Sequence, residues 1–279
     1  MTYSVVARDP ATGELGVAVQ TGTFGVGAGV PWAEPRVGAV ATQSFTERSY
    51  GPLGLELMRA GRTAPEALAG LVAADPDERF RQVGMVDASG QAAAHTGAGC
   101  IADAGQHVGD GFAVQANMMA SDRVWPAMAE AFTSATGSLA RRLLATLDAA
   151  EAAGGDFRGM QSAAILVVPG GADGKPWSRV SDLRVDDGEA PLAELRRLLE
   201  LEEAFVALAK AESGRAGLAA PLRQPDRILA AAEDAAHAGD VERARELLAP
   251  LLAAEPHWRD AIRAFGEKGL LPGWERVLE

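Results

Sequence analysis

Residues 2–9, TYSVVARD, predict the first strand of the fold. The tyrosine and the two valines of this stretch favour a β-strand. Residues 9–13 (DPATG) are typical of a turn, and residues 14–20 (ELGVAVQ) favour a return strand. The chain therefore begins with a predicted β-hairpin, around which the rest of a sheet is expected to form.

Thr2 stands at the head of this strand, directly after Met1. If Met1 is removed, Thr2 becomes terminal, and its α-amine, with a pKa of about 7.7–8.0, lies beside its own hydroxyl. A base paired in this way with a nucleophile is the chemistry of N-terminal-nucleophile hydrolases. In the alternative interpretation, Met1 stays and Thr2 is only a strand residue.

The 279 residues carry a formal net charge of −12, which predicts repulsion from nucleic acid and from anionic membranes. The single cysteine, Cys100, cannot form an intramolecular disulfide. The sequence starts with no signal-peptide pattern and holds no apolar run of about 18 residues, the length a membrane span needs. We therefore expect a cytoplasmic protein, and we expect no cofactor.

The hydrophobic periodicity predicts strands and helices in alternating blocks, which indicates sheets covered by helices and not a regular alternating parallel sheet. Residues 161–168 (QSAAILVV) are almost continuously apolar and predict an interior strand buried on both faces. Thr63 with Glu66 predicts a capping box at a helix start. Further strands are predicted at 36–45, 79–86, 91–96, 112–117 and 179–185, and helices at 50–61, 63–74, 121–135 and 139–153.

Three regions are predicted. Residues 1–190 form the sheet-containing domain, residues 191–224 a connecting helix and linker, and residues 225–279 a small helical module that resembles one tetratricopeptide-like unit. The helix predicted at 191–213 is apolar over more than a narrow stripe, so we expect a homodimer in which the second copy covers the extra apolar surface. The alternative is that the helical tail docks on the sheet-containing domain of its own chain. The apolar residues of that helix are Leu195, Leu198, Leu199, Leu201, Phe205, Val206 and Leu208.

Several stretches allow more than one chemistry. His95 and Cys100 permit a Cys/His nucleophilic pair or, with Asp103 and His107, a metal site. The simpler alternative is that Cys100 is a buried thiol. We predict no metal site, because the spacing of these residues matches no known ligand pattern. No helix is predicted directly after the glycines at 22–29, as a phosphate-binding loop would require. These glycines are therefore expected to let neighbouring backbone segments approach each other closely.

Residues 154–162 (GGDFRGMQS) place polar groups at the entrance of the 161–168 strand. They are Asp156, Arg158, Gln161 and Ser162. Such groups either bind the carboxylate or amide of a substrate, or, for Asp156 and Arg158, simply pair with each other.

Eight segments in this order resemble one bacterial family, domain of unknown function 1028. They are TYSVVARDPATGELGVAV, GVGAGVPWA, VGAVATQS, YGPLGLELM, HTGAGC, FAVQANMM, GGDFRGMQSAA and DLRVDD, across about residues 2–200. The resemblance implies the N-terminal-nucleophile (Ntn) hydrolase superfamily. It therefore implies an α+β fold, a four-layer αββα sandwich in which two sheets face each other and helices lie outside.

By analogy with that superfamily, Thr2 attacks the carbonyl of a small amide or peptide-like substrate while its α-amine carries the proton. The candidates for binding substrate or oxyanion are Arg8, Gln43, His95, Asn117, Asp156, Arg158, Gln161 and Ser162. Proteasome-type members use a lysine near the nucleophile, whereas the first lysine here is Lys175; Arg8, Gln43 and His95 are the candidates to replace it.

The alternative is a non-catalytic binding module on a degenerate Ntn fold, whose helical tail binds a partner or a glycan. Residues 253–272 (AAEPHWRDAIRAFGEKGLLP) are similar to a module that follows the main domain in some members and is described as a candidate peptidoglycan-binding domain.

Overall fold

The computed structural model describes residues 2–172, 174–210, 222–268 and 274–278. The chain divides into two compact units, Met1–Leu199 and Glu200–Glu279. Within the described residues it is a mixed α/β protein with two antiparallel sheets and eight α-helices. Met1, residues 211–221 of the predicted connecting helix and linker, and the end of the 253–272 segment lie outside the described residues.

The larger sheet of the first unit has six strands in the order β10-β9-β2-β1-β8-β7. The bounds are β1 (Thr2–Arg8), β2 (Leu15–Thr21), β7 (Gly105–Gly109), β8 (Phe112–Asn117), β9 (Ser162–Val168) and β10 (Ser181–Val185). The predicted hairpin is confirmed, because β1 pairs with β2 from Tyr3 opposite Gln20 to Arg8 opposite Leu15. On its other side β1 pairs with β8, so it is an interior strand.

The smaller sheet has four strands in the order β3-β4-β5-β6. The bounds are β3 (Pro31–Glu34), β4 (Gly38–Ser44), β5 (Arg81–Asp87) and β6 (Ala92–Thr96). Sequence periodicity did not predict β3 or β7. Both are edge strands, and edge strands need no continuous apolar pattern because one side of the ladder stays unpaired; β3 also begins with a proline, which edges tolerate.

Five helices belong wholly or partly to this unit: α1 (Tyr50–Arg59), α2 (Ala64–Ala74), α3 (Val124–Ser134), α4 (Leu139–Ala152) and α5 (Pro191–Lys210). The capping box is confirmed, since the Thr63 hydroxyl accepts from Glu66 N at 3.3 Å and Glu66 Oε2 accepts from Thr63 N at 2.9 Å. The helix predicted at 121–135 begins later, at Val124, and Ser121 does not cap it, because Ser121 Oγ donates to Ala153 O.

Side chains alternate along β1 between two different apolar clusters, as a pleated strand requires. Tyr3 and Val5 pack with residues of α3, α4 and the start of α5. Val6 joins a cluster that combines residues of the larger sheet with Ala41 and Val86 of the smaller sheet. A third cluster packs the other face of the smaller sheet against α1 and α2.

Strand β9 is buried along its whole length, as the apolar run at 161–168 predicts. Ile165 belongs to the cluster with the helices, and Leu166 to the cluster shared by the sheets. Both faces of this antiparallel strand are therefore covered, which explains an apolar pattern that is more typical of parallel sheets.

The second unit contains α6 (Gln224–His237), α7 (Val241–Ala254) and α8 (Trp258–Glu267). A turn at Gly239, with φ +81°, joins α6 to α7, and Asp240 caps α7 by accepting from Arg243 N at 3.0 Å. The core of this unit includes Leu248, Ile262 and Trp274. Among the described helices, none combines the length and the apolar run that a membrane crossing would need.

Candidate functional site

Thr2 lies at one end of the larger sheet, where β1 begins, β2 and β8 end and β9 begins. Its side chain is on the face that carries Ser4 and Val6, toward the smaller sheet. Thr2 is only 6% exposed, and its Oγ1 donates to Thr21 Oγ1 at 3.2 Å. The nucleophile candidate is thus held at a strand end beside a second hydroxyl.

The main chain of Thr2 is fixed by two amide side chains. Gln43 Nε2 donates to Thr2 O at 3.0 Å, and Asn117 Nδ2 donates to the same oxygen at 3.4 Å. Both amides also donate to Gln82 Oε1, at 2.7 and 2.8 Å. Since Gln43 and Gln82 belong to the smaller sheet, both sheets determine where the Thr2 carbonyl lies.

This amide network continues further between the sheets. Ser4 Oγ donates to Gln43 Oε1 at 2.6 Å, and Gln115 Nε2 donates to Ser4 Oγ at 2.6 Å. Gln82 Nε2 donates to Ala116 O at 2.8 Å. Gln115 Oε1 is buried without a hydrogen-bond partner among the described residues. The side chains are uncharged, so the polar layer avoids the cost of a buried unpaired charge while its hydrogen bonds hold the end of β1.

A charged pair lies beside Thr21. The Asp156 side chain is fully buried and accepts from Gly22 N at 2.9 Å, from Arg158 N at 2.9 Å and from Arg158 Nη2 at 3.0 Å. Arg158 Nη2 also donates to Thr21 Oγ1 at 3.4 Å. The Arg158 guanidinium therefore stands two hydrogen bonds away from Thr2 Oγ1.

Ser162 and Gln161 hold the loops around this pair. Ser162 Oγ donates to Thr23 O at 2.5 Å and accepts from Val26 N at 3.1 Å, while Gln161 Nε2 donates to Asp187 Oδ1 at 2.9 Å. A Cβ at Gly22 would meet Gly159 O, so the glycine does serve close backbone approach, as its pattern predicts.

Two predicted site residues lie elsewhere. Arg8 is at the opposite end of β1, six residues from Thr2, which is about 20 Å along a strand. His95 lies opposite Val83 in the smaller sheet, and the Val83 side chain packs toward α1 and α2. His95 Nε2 lies 3.0 Å from both the carbonyl oxygen and Oε2 of Glu78. Neither Arg8 nor His95 is therefore positioned to replace, near Thr2, the lysine of proteasome-type enzymes.

Cys100 makes a hydrogen bond to a nearby backbone carbonyl and, in the part of the chain that the structure describes, is not paired with His95. Its Sγ donates to Arg81 O at 3.3 Å, and burial raises the pKa of the thiol above its usual value. A raised pKa lowers the thiolate fraction at neutral pH, so the arrangement fits the buried thiol better than a nucleophilic pair.

Thr21, Gln82 and Gln115 were missed as site residues from the sequence. Thr21 could have been found, because a hairpin register that pairs Tyr3 with Gln20 places Thr21, the next residue of β2, beside Thr2. The two glutamines carry no local signal, since strands that are distant in the sequence bring them to Thr2.

Comparisons with known proteins agree on one family. The model described as a family of unknown function, DUF1028, matches residues 2–195. The crystal structure of protein SPO2555 from Silicibacter pomeroyi, described by the same family model, is 31% identical at a TM-score of 0.65, over 76% of this chain and 87% of that one. No curated protein matches the chain.

A second solved structure, Anbu (ancestral beta-subunit) from Yersinia bercovieri, is 10% identical at a TM-score of 0.33 and covers 76% of this chain and 98% of that one. A similarity of that size carries no argument about fold or function.

Proposed function

The chain belongs to the family of unknown function DUF1028, and we propose that it is an Ntn-type amidohydrolase whose nucleophile is Thr2. The proposed fold is the αββα sandwich. Its support is the packing of the first unit, in which one apolar cluster joins the two sheets and two others join each sheet to helices.

The observation that carries the proposal is the placement of Thr2. It is the first residue of an interior strand, its carbonyl is fixed by Gln43 and Asn117, and its Oγ1 lies 3.2 Å from Thr21 Oγ1. A reactive side chain held by rigid strands at the end of a sheet is what covalent catalysis needs, because loose placement costs rate.

The proposed chemistry requires that Met1 be removed. The α-amine then takes the proton from the Thr2 hydroxyl as Oγ1 attacks the carbonyl carbon of the amide. The same proton passes to the leaving nitrogen when the C–N bond breaks, which leaves an ester on Thr2. Water, activated by the α-amine, hydrolyses the ester and restores the hydroxyl.

Arg158 is proposed to supply the local positive charge in place of a lysine. Its Nη2 donates to Thr21 Oγ1 at 3.4 Å, and Thr21 Oγ1 accepts from Thr2. The buried Asp156 carboxylate accepts two hydrogen bonds from one edge of this guanidinium, which fixes its direction. The single cysteine is consistent with a cytoplasmic setting for such an enzyme.

A non-catalytic binding module is the second candidate, and one observation favours it. Gln43 Nε2 and Asn117 Nδ2, the nearest amide donors, already donate to Thr2 O and Gln82 Oε1. An oxyanion would have to compete with these bonds, and a preorganised donor that points at the oxyanion contributes most to catalysis.

Intact-mass spectrometry of the folded full-length protein is the first test, with loss of Met1 as the expected result. Periodate then cleaves only a terminal 1,2-amino alcohol, so treatment should convert Thr2 to an aldehyde. Labelling with a peptide epoxyketone, whose stable adduct needs both the hydroxyl and the amine, should add one probe per chain.

Thr2→Ser should keep the label, and Thr2→Ala should lose it. Thr12→Ala, in the exposed turn of the same hairpin, is the control and should label like the parent. Retained Met1 in folded protein, or labelling that survives Thr2→Ala, contradicts the nucleophile. Loss of Met1 without any labelling favours the binding module.

A further inference from the structure

Two loops at the Thr2 end of the larger sheet each carry an exposed aromatic ring. Phe24 follows β2 and is 73% exposed, and Phe157 precedes β9 and is 58% exposed. The loops are joined, because Gly22 N donates to Asp156 Oδ2 at 2.9 Å. Two exposed rings on hydrogen-bonded loops at the sheet end that holds Thr2 indicate a binding surface more strongly than single scattered apolar residues do.

Arg158 gives this surface a cation. Its side chain is 30% exposed, whereas the side chain of its partner Asp156 is 0% exposed, so a ligand meets the guanidinium and not the carboxylate. The paired contacts of Nε with Oδ1 at 3.3 Å and of Nη2 with Oδ2 at 3.0 Å hold the guanidinium in one plane. The Nε and Nη2 edge is bound to Asp156, so a ligand carboxylate meets the remaining, partly exposed side of a pre-positioned guanidinium.

We propose that these two loops are a substrate subsite that takes amides carrying both a carboxylate and a large apolar group, of the N-arylacyl amino acid class. Phe24 and Phe157 contact the apolar group, and Arg158 binds the carboxylate. This inference rests on the proposed function, which places the scissile carbonyl at Thr2.

The spacing of the site fits that class. Arg158 Nη2 and Thr2 Oγ1 are linked through Thr21 Oγ1 by contacts of 3.4 and 3.2 Å. In an N-acyl amino acid the carboxyl carbon is two bonds from the amide nitrogen, so one small molecule reaches both groups. The acyl group carries the large apolar part of such a substrate, which Phe24 and Phe157 on the same two loops contact.

The net charge of −12 does not exclude an anionic substrate. Charges farther away than about 8 Å are largely screened at physiological ionic strength. Within that distance a carboxylate at the subsite is attracted by Arg158 and opposed by the buried Asp156 carboxylate, which lies 3.0 Å from Arg158 Nη2. The hydrogen bonds and the exposed position of Arg158 favour the attraction, and the affinity should weaken as salt rises.

The test is calorimetric binding to the full-length Thr2→Ala protein, which removes turnover. The probes are N-phenylacetylglycine, its primary amide N-phenylacetylglycinamide, and N-acetylglycine. We expect the acid to bind at least tenfold more tightly than its amide, and the phenylacetyl probe more tightly than the acetyl probe. Arg158→Gln should remove the first preference, and the double change Phe24→Ser, Phe157→Ser the second.

Arg62→Gln, in an exposed turn, is the matched control and should change neither preference. Arg158→Lys keeps a charge beside Asp156 and serves if Arg158→Gln does not fold; a smaller preference for the acid is then expected. Three results overturn the inference: equal affinity for acid and amide, failure of the acid to bind at millimolar concentration, or an undiminished preference in Arg158→Gln, or in Arg158→Lys where that variant replaces it.

Turnover of N-phenylacetylglycine by the unmodified protein is measured separately. The expected preference without turnover contradicts the hydrolase and leaves the subsite standing as a binding site. Turnover without preference contradicts the subsite and leaves the hydrolase standing.

Discussion

Gln43 Nε2 donates to the carbonyl oxygen of Thr2 over 3.0 Å, across the space between the two sheets. The same amide donates to Gln82 Oε1, and its own Oε1 accepts from Ser4 Oγ. One side chain of the smaller sheet therefore connects to three points around the start of β1, so the position of Thr2 depends on how the sheets pack together.

Gln43→Leu is expected to lower the free energy of unfolding by about 1–3 kcal/mol, because it leaves the buried Ser4 hydroxyl without its acceptor, whereas Gln82 Oε1 and Thr2 O still accept from Asn117 Nδ2. Urea unfolding followed by circular dichroism measures the loss. Gln91→Leu, in an exposed turn, should change it by less than about 0.5 kcal/mol. If the two variants unfold alike, the network does not stabilise the sheet packing.

Local signals in the sequence predicted the secondary structure well and the site only in part. The β1–β2 hairpin and the capping box at Thr63 depend on near neighbours, so composition and turn residues suffice to predict them. The approach of Gln43 to Thr2 depends on the packing of two sheets, which no short window records. Arg8 was a candidate to replace the lysine near Thr2, yet six residues of extended chain separate the two.

Asp75, just after α2, allows a prediction of how the free energy of unfolding changes at acidic pH. Hydrogen bonding from Arg81 lowers the pKa of this carboxyl below its usual value of 3.8, with help from Asp77 N, against the opposing effect of burial. Arg81 Nε donates to Asp75 Oδ2 at 2.8 Å and Tyr50 Oη donates to it at 3.2 Å. A lowered pKa means that this stabilisation is present above the unfolded pKa and is lost as pH falls through the folded one.

Asp75→Asn should therefore destabilise the protein by about 1.5–3 kcal/mol at pH 7, the range for a charge-assisted bond. The difference from the parent should shrink once the pH falls below about 3.9, the unfolded value for aspartate. Urea unfolding between pH 3 and 7 gives both curves, with Asp110→Asn as an exposed control. Curves for Asp75→Asn and the parent that stay parallel at every pH would contradict the assignment.

Helix α5 motivates the expected homodimer. Leu195 and Leu199 are 0% and 2% exposed in the core of the first unit, but Phe205 and Val206 further along are 42% and 43% exposed. Light scattering coupled to size-exclusion chromatography should give twice the chain mass for the full chain at micromolar concentration. Phe205→Ser with Val206→Ser should give the single chain mass, because it removes the exposed apolar pair. A parent protein of single chain mass would favour intramolecular docking of the tail.

Thr21 is expected to act on the rate through Thr2. Thr21 Oγ1 accepts from Arg158 Nη2 at 3.4 Å and from Thr2 Oγ1 at 3.2 Å, and Thr23 Oγ1 lies 3.3 Å away. A guanidinium only donates, so Thr21 Oγ1 is the acceptor in that contact, and the Thr21 hydroxyl still carries a proton that it can share with Thr23 Oγ1 or give to Thr2 Oγ1. When Thr2 gives its proton to the α-amine, the Thr21 hydroxyl can turn and stabilise the negative charge that develops on Thr2 Oγ1.

Thr21→Val keeps the shape of the side chain and removes this donor, so the rate of epoxyketone adduct formation should fall about 100-fold, the usual effect of losing one such donor. Thr21→Ser should restore most of the rate. The rate of the parent and of both variants should rise with pH through about 8, where the α-amine becomes the free base. A purely structural role for Thr21 predicts instead a lower melting temperature with an unchanged plateau rate, and that result would remove Thr21 from the mechanism.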